Sequence, residues 1–182
     1  MSNIRLTEAK RQYWGWIIEY MIPKKLPYKL FLKSFQFAPR PAVNLLVVSA
    51  DAAILLTKRQ KPPFAGSWHL PGSFVLKGEA LMACVKRVAK EELGIEIEKE
   101  IEKGNISLAG AFDDIAGDPR GHVVDLVYRC HIKLDQKRPG LSGKGLAFPE
   151  PAGDTAEIRF FQKLPQNIGF NHRETLSKLG YV

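Results

Sequence analysis

The feature that most constrains the fold is a helical segment that ends in two adjacent glutamates. Within residues 79–93, apolar side chains recur at the i, i+3, i+4, i+7 spacing of an amphipathic helix, at Leu81, Cys84, Val85 and Val88. Gly94 follows, and a glycine just after the last turn is typical of a helix C-terminus. The sequence therefore predicts a helix that lays one apolar face on a core and ends at "EELG".

The two glutamates, Glu91 and Glu92, flank the apolar stripe instead of the solvent face. At about 100° per residue, Glu92 lies about 40° and Glu91 about 60° from Val88 on the helical wheel. A carboxylate turned toward the interior is costly without a cation, and the helix dipole disfavours it at this end. The pair indicates either a site for a divalent cation such as Mg²⁺ or ion pairs with Arg or Lys, to which Arg87 could contribute.

Strand-like segments lie on both sides of this helix. The apolar runs 42–50 and 52–60 predict a hairpin that turns near Ala50 and Asp51. Further strands are predicted by "IEIEKEI", "ISLAGAFDD", "HVVDLVYRCHIKL" and "AEIRFF", and a closing helix by "NHRETLSKLG". This order of elements predicts an α/β or α+β sandwich, with a long Gly/Pro-rich loop over residues 135–154.

The first forty residues differ from the rest. Residues 6–21 predict an amphipathic helix, which Pro23 and Pro27 then interrupt. We divide the chain into an N-terminal helical extension, residues 1–38, and a main domain, residues 39–182. The apolar run of the extension is too short to span a bilayer, so we expect no membrane-spanning segment.

Net charge and cysteine content limit the ligands and the cellular compartment that we expect for this chain. The 182-residue chain carries a net charge of +8, which favours anionic partners such as phosphates and nucleotides. The basic residues are scattered, which disfavours a nucleic-acid groove. The two cysteines, Cys84 and Cys130, form no pattern of bridges or metal ligands, as expected for reduced thiols in a cytoplasmic protein.

The spacing of Glu79, Arg87, Glu91, Glu92 and Gly94 resembles the Nudix box, with "GSWHLPGSF" as its lead-in. "RPAVNLLVV", "DPRGHVVDLVYRC" and "FNHRE" resemble the ADP-ribose pyrophosphatase-like branch of the Nudix hydrolases. "IPKKLPYKLFLKSF" and "KRVAKEELGI" are similar to the GDP-mannose hydrolase branch. The resemblance implies a Nudix sandwich, a mixed β-sheet flanked by helices, in which the box forms a loop, a helix and a loop.

The resemblance also implies an activity and a site. The expected function is metal-dependent hydrolysis of a nucleoside diphosphate linked to another moiety, such as ADP-ribose or a nucleotide sugar, with Mg²⁺ or Mn²⁺ as cofactor. A homodimer formed through the extension is a further expectation. The residues carried over are Ser73, Glu79, Glu91 and Glu92 for the metal, Glu92, Glu91, Arg87 and Glu157 for catalysis, and Arg59, Arg120, Gly72 and Ser73 for the substrate. For Glu79, capping of the helix start is the alternative.

Two box positions depart from the family pattern. Ser73 replaces the first glycine, and Val88 replaces the glutamate that follows the arginine. Because valine can neither ligate a metal nor act as a base, a catalytically weak nucleotide binder or sensor is the alternative function. Attack at a sugar carbon would use a histidine before the last strand, where this sequence offers Asp154 and Glu157 instead. Either acid could serve as the base.

Overall fold

The computed structural model of the chain describes residues 23–49, 51–131 and 155–181. The helix predicted for residues 6–21 and the loop predicted for residues 135–154 lie outside these ranges. The described helices are α1 (Tyr28–Ser34), α2 (Leu81–Leu93), α3 (Glu98–Glu102) and α4 (His172–Lys178). The described strands are β1 (Arg40–Val47), β2 (Ile54–Arg59), β3 (Trp68–His69), β4 (Gly72–Phe74), β5 (Ile106–Asp114), β6 (Val123–Cys130) and β7 (Thr155–Phe161).

The strands form two sheets. One has the order β4-β1-β6-β5 and is mixed, because β1 runs parallel to β6 while the other neighbours are antiparallel. The other has the order β3-β2-β7 and is antiparallel throughout. Helices flank the sheets, so the predicted α+β sandwich with a mixed sheet is confirmed.

Strand β1 is the centre of the core, which explains its nearly continuous apolar sequence. Val43, Leu45 and Val47 belong to a buried cluster with the apolar face of α2. Leu46 belongs to a second cluster that contains Leu176 of α4. The two faces of one strand therefore connect the core under the box helix with the core under the C-terminal helix.

Helix α2 forms as predicted, with one difference at its start. Cys84, Val85 and Val88 are fully buried, whereas Leu81 is 41% exposed, so the buried face begins at Cys84. At the other end Gly94 has φ 63°, the left-handed conformation that glycine adopts without strain. Its N–H donates to the carbonyl of Lys90, 3.1 Å away, which ends the helix.

The hairpin predicted for β1 and β2 is wrong as a pairing. Near the predicted turn the Ser49 N–H does donate to the Ala53 carbonyl at 2.9 Å, while Ala50 lies outside the described residues. Their ladder, however, is limited among the described residues to one bridge between Val48 and Ile54, and the strands belong to different sheets. Each strand pairs with two other strands along its length, and these tertiary pairings outweigh the local one.

The strand predicted from "IEIEKEI" is also wrong, because residues 95–97 belong to no strand and α3 forms over Glu98–Glu102. Ile97 is buried, and its carbonyl accepts a hydrogen bond from the Ile101 N–H at 3.0 Å. The four-residue spacing from Ile97 to Ile101 fits one helical face, and both side chains reach the core cluster under α2. The alternation of Ile and Glu was therefore compatible with the two-residue period of a strand and with the spacing of a helix.

Helix α1 packs against the main domain through aromatic rings. The Phe31 ring lies 5.1 Å from that of Phe74 and 5.2 Å from that of Phe35, both in edge-to-face contacts. The boundary proposed near residue 38 thus falls between two parts that contact each other. Within the part of the chain that the structure describes, no helix has the length and apolar character needed to cross a membrane.

Candidate functional site

A cavity of about 450 Å³ opens where the end of α2 meets strands of both sheets. Its wall contains residues from α2, α4 and the seven described strands, and residues next to these elements. The described residues that line it include the polar and charged side chains Lys25, Asn44, Arg59, His69, Ser73, Glu91, Glu92, Asp114, Asp118, Arg120, Asp125, Thr155 and His172. A cavity lined by both carboxylates and guanidinium groups suits a ligand that carries phosphate together with a cation.

Arg87 connects the box residues just outside this cavity. Its Nε lies 2.7 Å from Glu79 Oε1 and its Nη2 2.9 Å from Glu79 Oε2, a bidentate pair whose carboxylate is 4% exposed. Nη1 also donates to Glu91 Oε2 at 3.3 Å and to Ser73 Oγ at 3.1 Å. One guanidinium therefore fixes the loop before α2 and the last turn of α2 relative to each other.

Glu79 precedes α2 and faces away from solvent. Besides pairing with Arg87, it accepts a hydrogen bond from the Leu76 N–H at 2.8 Å. Burial alone raises the pKa of Glu79, but the hydrogen bonds from Arg87 and Leu76 outweigh it and hold the pKa below its usual value. Glu79 is therefore ionised, and its oxygens are already occupied by donors.

The two glutamates at the end of α2 have different partners. Glu91 is 42% exposed and lies 3.5 Å from the Nζ of Lys25, in addition to its contact with Arg87. Glu92 accepts a hydrogen bond of 2.6 Å from the hydroxyl of Thr155, the first residue of β7. The cost of placing these acids beside the core is thus reduced by Lys25 and Arg87 at Glu91, and by the hydroxyl of Thr155 at Glu92.

A second wall of the cavity is built from cations and aromatic rings. Arg120 is held by Asp118, with Nε 2.9 Å from Oδ1 and Nη2 2.6 Å from Oδ2. Its guanidinium lies 4.9 Å from the Phe74 ring centroid and 5.5 Å from that of Phe170. The guanidinium of Arg59 lies 5.2 Å from the same Phe170 ring, and Arg59 Nε donates to the Pro63 carbonyl at 2.8 Å. Both guanidinium groups are thereby fixed in orientation.

Buried polar groups form the floor of the cavity. The side-chain amide of Asn44 donates to Asp125 Oδ1 at 2.8 Å, and both residues are 4% exposed. Burial, together with the negative charges of Asp114 and Asp118, raises the pKa of Asp125 to about 6 against the opposing effect of the Asn44 hydrogen bond. Near neutral pH this carboxyl therefore lies close to its titration range.

A buried imidazole completes the lining. The Leu70 N–H donates to His172 Nδ1 at 3.0 Å, and His172 is 5% exposed at the start of α4. Burial, together with smaller effects of the neighbouring His69 and Arg59, lowers the pKa of His172 to about 3. The ring is therefore neutral at physiological pH.

Comparison with known proteins decides the family. A family model described as a NUDIX domain matches residues 38–163. The chain belongs to the NUDIX family. An ADP-ribose pyrophosphatase of Methanocaldococcus jannaschii is 40% identical over 156 residues, which make up 84% of this chain and 81% of that protein. The predicted family and enzyme class, a Nudix hydrolase, are confirmed.

Two solved structures show the same fold. A bifunctional NMN adenylyltransferase/ADP ribose pyrophosphatase from Francisella tularensis, complexed with AMP and a Mn ion, matches with a TM-score of 0.64 and 21% identity over 95% of this chain and 49% of that chain. The NUDIX domain of Shewanella oneidensis NrtR, complexed with ADP ribose, matches with a TM-score of 0.59 and 19% identity over 95% of this chain and 96% of that chain. At these identities the likeness concerns the fold.

The structure brings most of the predicted site residues of this Nudix hydrolase together. The predicted site residues that line the cavity are Arg59, Gly72, Ser73, Glu91, Glu92 and Arg120. Glu79 and Arg87 are not among the described lining residues and form the buried pair behind Glu91. Arg87 also donates a hydrogen bond to Glu91 at 3.3 Å, so the buried pair contacts the lining of the cavity through Glu91.

Glu157 lies elsewhere. It pairs with Lys58 at 3.7 Å and with Arg159, and both cations approach the ring of Trp68. It is not among the described residues that line the cavity. Asp154, the other acid considered as a base, lies outside the described residues.

Sequence reasoning missed several lining residues, notably Asn44, Asp125, Thr155, Phe170 and His172. Asn44 and Asp125 each interrupt an apolar strand, and a polar residue within a buried run is a signal that could have drawn attention. Nothing local marked Thr155, because its role comes from its contact with Glu92, 63 positions away.

Proposed function

We propose that this Nudix hydrolase cleaves a nucleoside diphosphate linked to another moiety, of the ADP-ribose or nucleotide-sugar type, with the help of Mg²⁺ or Mn²⁺. The 40% identical relative is named an ADP-ribose pyrophosphatase, which supports this substrate class. The Mn ion and the ADP ribose named in the two solved structures support the cofactor and the ligand class.

One observation carries the proposal. Glu91 and Glu92 line the same cavity as Arg59 and Arg120. The guanidinium groups can bind phosphate oxygens, but the two carboxylates would repel a negatively charged phosphate group. A divalent cation between the carboxylates and a diphosphate removes that conflict, so the charges of the cavity fit a phosphate ligand together with a metal.

The donor set fits Mg²⁺ when substrate is present. Among the described residues, no three His, Cys, Asp or Glu side chains are grouped to hold a metal by themselves. Mg²⁺ is commonly bound by one or two carboxylates, with phosphate oxygens and water completing its shell. Glu91 and Glu92 would supply the carboxylates and Ser73 its carbonyl. A bound Mg²⁺ would neutralise charge on the diphosphate and help to ionise the attacking water.

The protein residues orient these groups. Arg87 holds Glu91 while it is anchored on Glu79, and Thr155 holds Glu92. Because its oxygens are taken by Arg87 and Leu76, Glu79 acts in this proposal as the anchor of Arg87 and not as a ligand. Arg59 and Arg120 bind phosphate oxygens. We assign no proton transfer to Glu157, which pairs with Lys58 and Arg159 instead.

The test is turnover on a panel of ADP-ribose and nucleotide sugars with Mg²⁺ or Mn²⁺. We expect hydrolysis of at least one compound, and a fall in kcat of at least about 100-fold in Glu92→Gln, since a metal contributes several kcal/mol of transition-state stabilisation. Glu96→Gln is the matched control, because Glu96 is exposed on the segment after α2. Wild-type rates in Glu92→Gln would contradict the metal role.

The alternative function gives a different result. A catalytically weak binder or sensor would hydrolyse none of the panel, yet one compound would raise its thermal unfolding temperature. A homodimer and a cytoplasmic location also stay predictions, for which sedimentation and fractionation are the direct measurements.

A further inference from the structure

His172 is a buried side chain that lines the cavity but has no part in the reaction proposed above. It is the first residue of α4, and its ring lies 5.5 Å from the ring of Phe170. It is 5% exposed, so it reaches the cavity from the core and not from the surface. A buried polar group of this kind normally has a partner for each of its polar atoms.

The hydrogen bond from Leu70 fixes the tautomer of this imidazole. Because Nδ1 accepts the Leu70 N–H at 3.0 Å, Nδ1 carries no proton. The ring is neutral, since burial and the neighbouring His69 and Arg59 lower its pKa. The one remaining ring proton is therefore on Nε2, which makes this atom a hydrogen-bond donor.

The donor has no acceptor of its own within the part of the chain that the structure describes. Among the described residues, His172 accepts the Leu70 hydrogen bond at Nδ1 and makes ring contacts with His69 and Phe170. Nε2 is also not fully enclosed by protein atoms, and His172 lines the cavity. The N–H is therefore accessible from the cavity and needs an acceptor there.

The surroundings indicate what that acceptor is. The guanidinium groups of Arg59 and Arg120 lie 5.2 Å and 5.5 Å from the Phe170 ring, which itself contacts the His172 ring. Two fixed cations beside a neutral donor favour an anionic oxygen over a hydroxyl group. We propose that the Nε2–H of His172 donates a hydrogen bond to a phosphate oxygen of the bound nucleoside diphosphate derivative. The inference rests on the proposed function for the substrate class.

Two substitutions test the roles of the two ring nitrogens of His172 separately. In His172→Asn the amide oxygen can replace Nδ1 as the acceptor of the Leu70 N–H, while the donor at Nε2 is lost. In His172→Gln the longer amide can place an N–H near Nε2, while the acceptor for Leu70 is lost. We expect His172→Asn to keep the wild-type unfolding temperature but to weaken binding, and His172→Gln to show the reverse.

Binding is measured by calorimetry with Ca²⁺ in place of Mg²⁺, so that a cation offsets the cavity carboxylates while turnover is suppressed, with ADP-ribose, AMP and adenosine as probes. We expect His172→Asn to raise the Kd of ADP-ribose and AMP by about 10- to 100-fold, the range for a hydrogen bond to a charged group. The Kd of adenosine, which has no phosphate, should not change. His131→Asn, the same substitution at an exposed histidine, should bind all three probes like the wild type.

Nitrogen NMR of the wild-type imidazoles keeps the test independent of the variants. We expect His172 to show the Nε2–H tautomer and its Nε2 signal to move on addition of AMP. An unchanged Kd in His172→Asn, or an Nε2 signal that AMP does not move, would overturn the inference even if the protein hydrolyses ADP-ribose. Binding of AMP through His172 without turnover of any compound would instead overturn the proposed function alone. Failure of all three probes to bind would overturn both.

Discussion

The guanidinium of Arg87 forms a bidentate pair with the carboxylate of Glu79, at 2.7 Å from Nε and 2.9 Å from Nη2. The pair is largely buried, with 15% of the Arg87 side chain and 4% of the Glu79 side chain exposed. Removing one partner of such a pair leaves an uncompensated charge in the interior. The pair therefore links the stability of the domain to the position of Glu91.

We expect Glu79→Gln to lower the free energy of unfolding by about 3–5 kcal/mol, because Arg87 would lose its main counter-charge. The wild-type contribution is present above the usual glutamate pKa and is lost as the pH falls through the lowered pKa of Glu79. Urea denaturation measures the change, with Glu102→Gln at an exposed position of α3 as the control. Equal stability of Glu79→Gln and the wild type would show that the pair is not formed.

Val88 gives a second prediction, since restoring the family's glutamate would place a carboxylate in the core. Val88 is fully buried in the cluster formed with β1. In metal-free buffer we expect Val88→Glu to lower the free energy of unfolding by at least about 3 kcal/mol, the cost of burying a charge or raising its pKa. Ala83→Glu at an exposed position of the same helix is the control. Full stability of Val88→Glu without metal would mean that this position faces the cavity.

The buried carboxyl of Asp125 predicts a specific pH dependence. Its pKa is raised from 3.8 to about 6, so the native state holds a proton that the unfolded state has lost. Stability conferred by this group is present below the unfolded pKa and falls as the pH rises from about 4 to about 6. The loss is at most roughly 3 kcal/mol, at 1.36 kcal/mol for each pH unit.

Asp125→Asn tests this dependence, because the amide oxygen can still accept the hydrogen bond from Asn44. We expect its free energy of unfolding, relative to that of the wild type, to rise between pH 3.5 and pH 7 by up to roughly 3 kcal/mol. Denaturant titrations at several pH values measure the difference. A difference that does not vary with pH would contradict the raised pKa of Asp125.

The contact between α1 and the main domain predicts that the extension contributes to stability. The Phe31 ring packs against Phe35 and Phe74, and the guanidinium of Arg40 lies 5.7 Å from its centroid. We expect Phe31→Ala to lower the free energy of unfolding by about 1–3 kcal/mol and to speed proteolysis near residue 38. Phe37→Ala is the matched control, because Phe37 is 75% exposed. Identical proteolysis of the two variants would contradict the docking of α1.

The sequence alone determined the elements whose signals are local. The apolar period of α2, its end at Gly94 and the spacing of Glu79, Arg87, Glu91 and Glu92 were sufficient for the fold class and the family. These signals are contained within one short segment, where a helical period of 3.6 residues leaves few alternatives. For the same reason Glu91 and Glu92 could be expected at one end of a buried helix before any contact was known.

Only the tertiary structure decided which distant residues share the cavity and which strands pair. β1 and β2 are adjacent in sequence but lie in different sheets, because each gains more by pairing with strands from elsewhere in the chain. Asn44 and Asp125 lie 81 positions apart, and Leu70 and His172 lie 102 apart, yet each pair shares a buried hydrogen bond. A hydrogen bond across such a separation depends on how the sheets and helices pack together, and no local pattern records that packing.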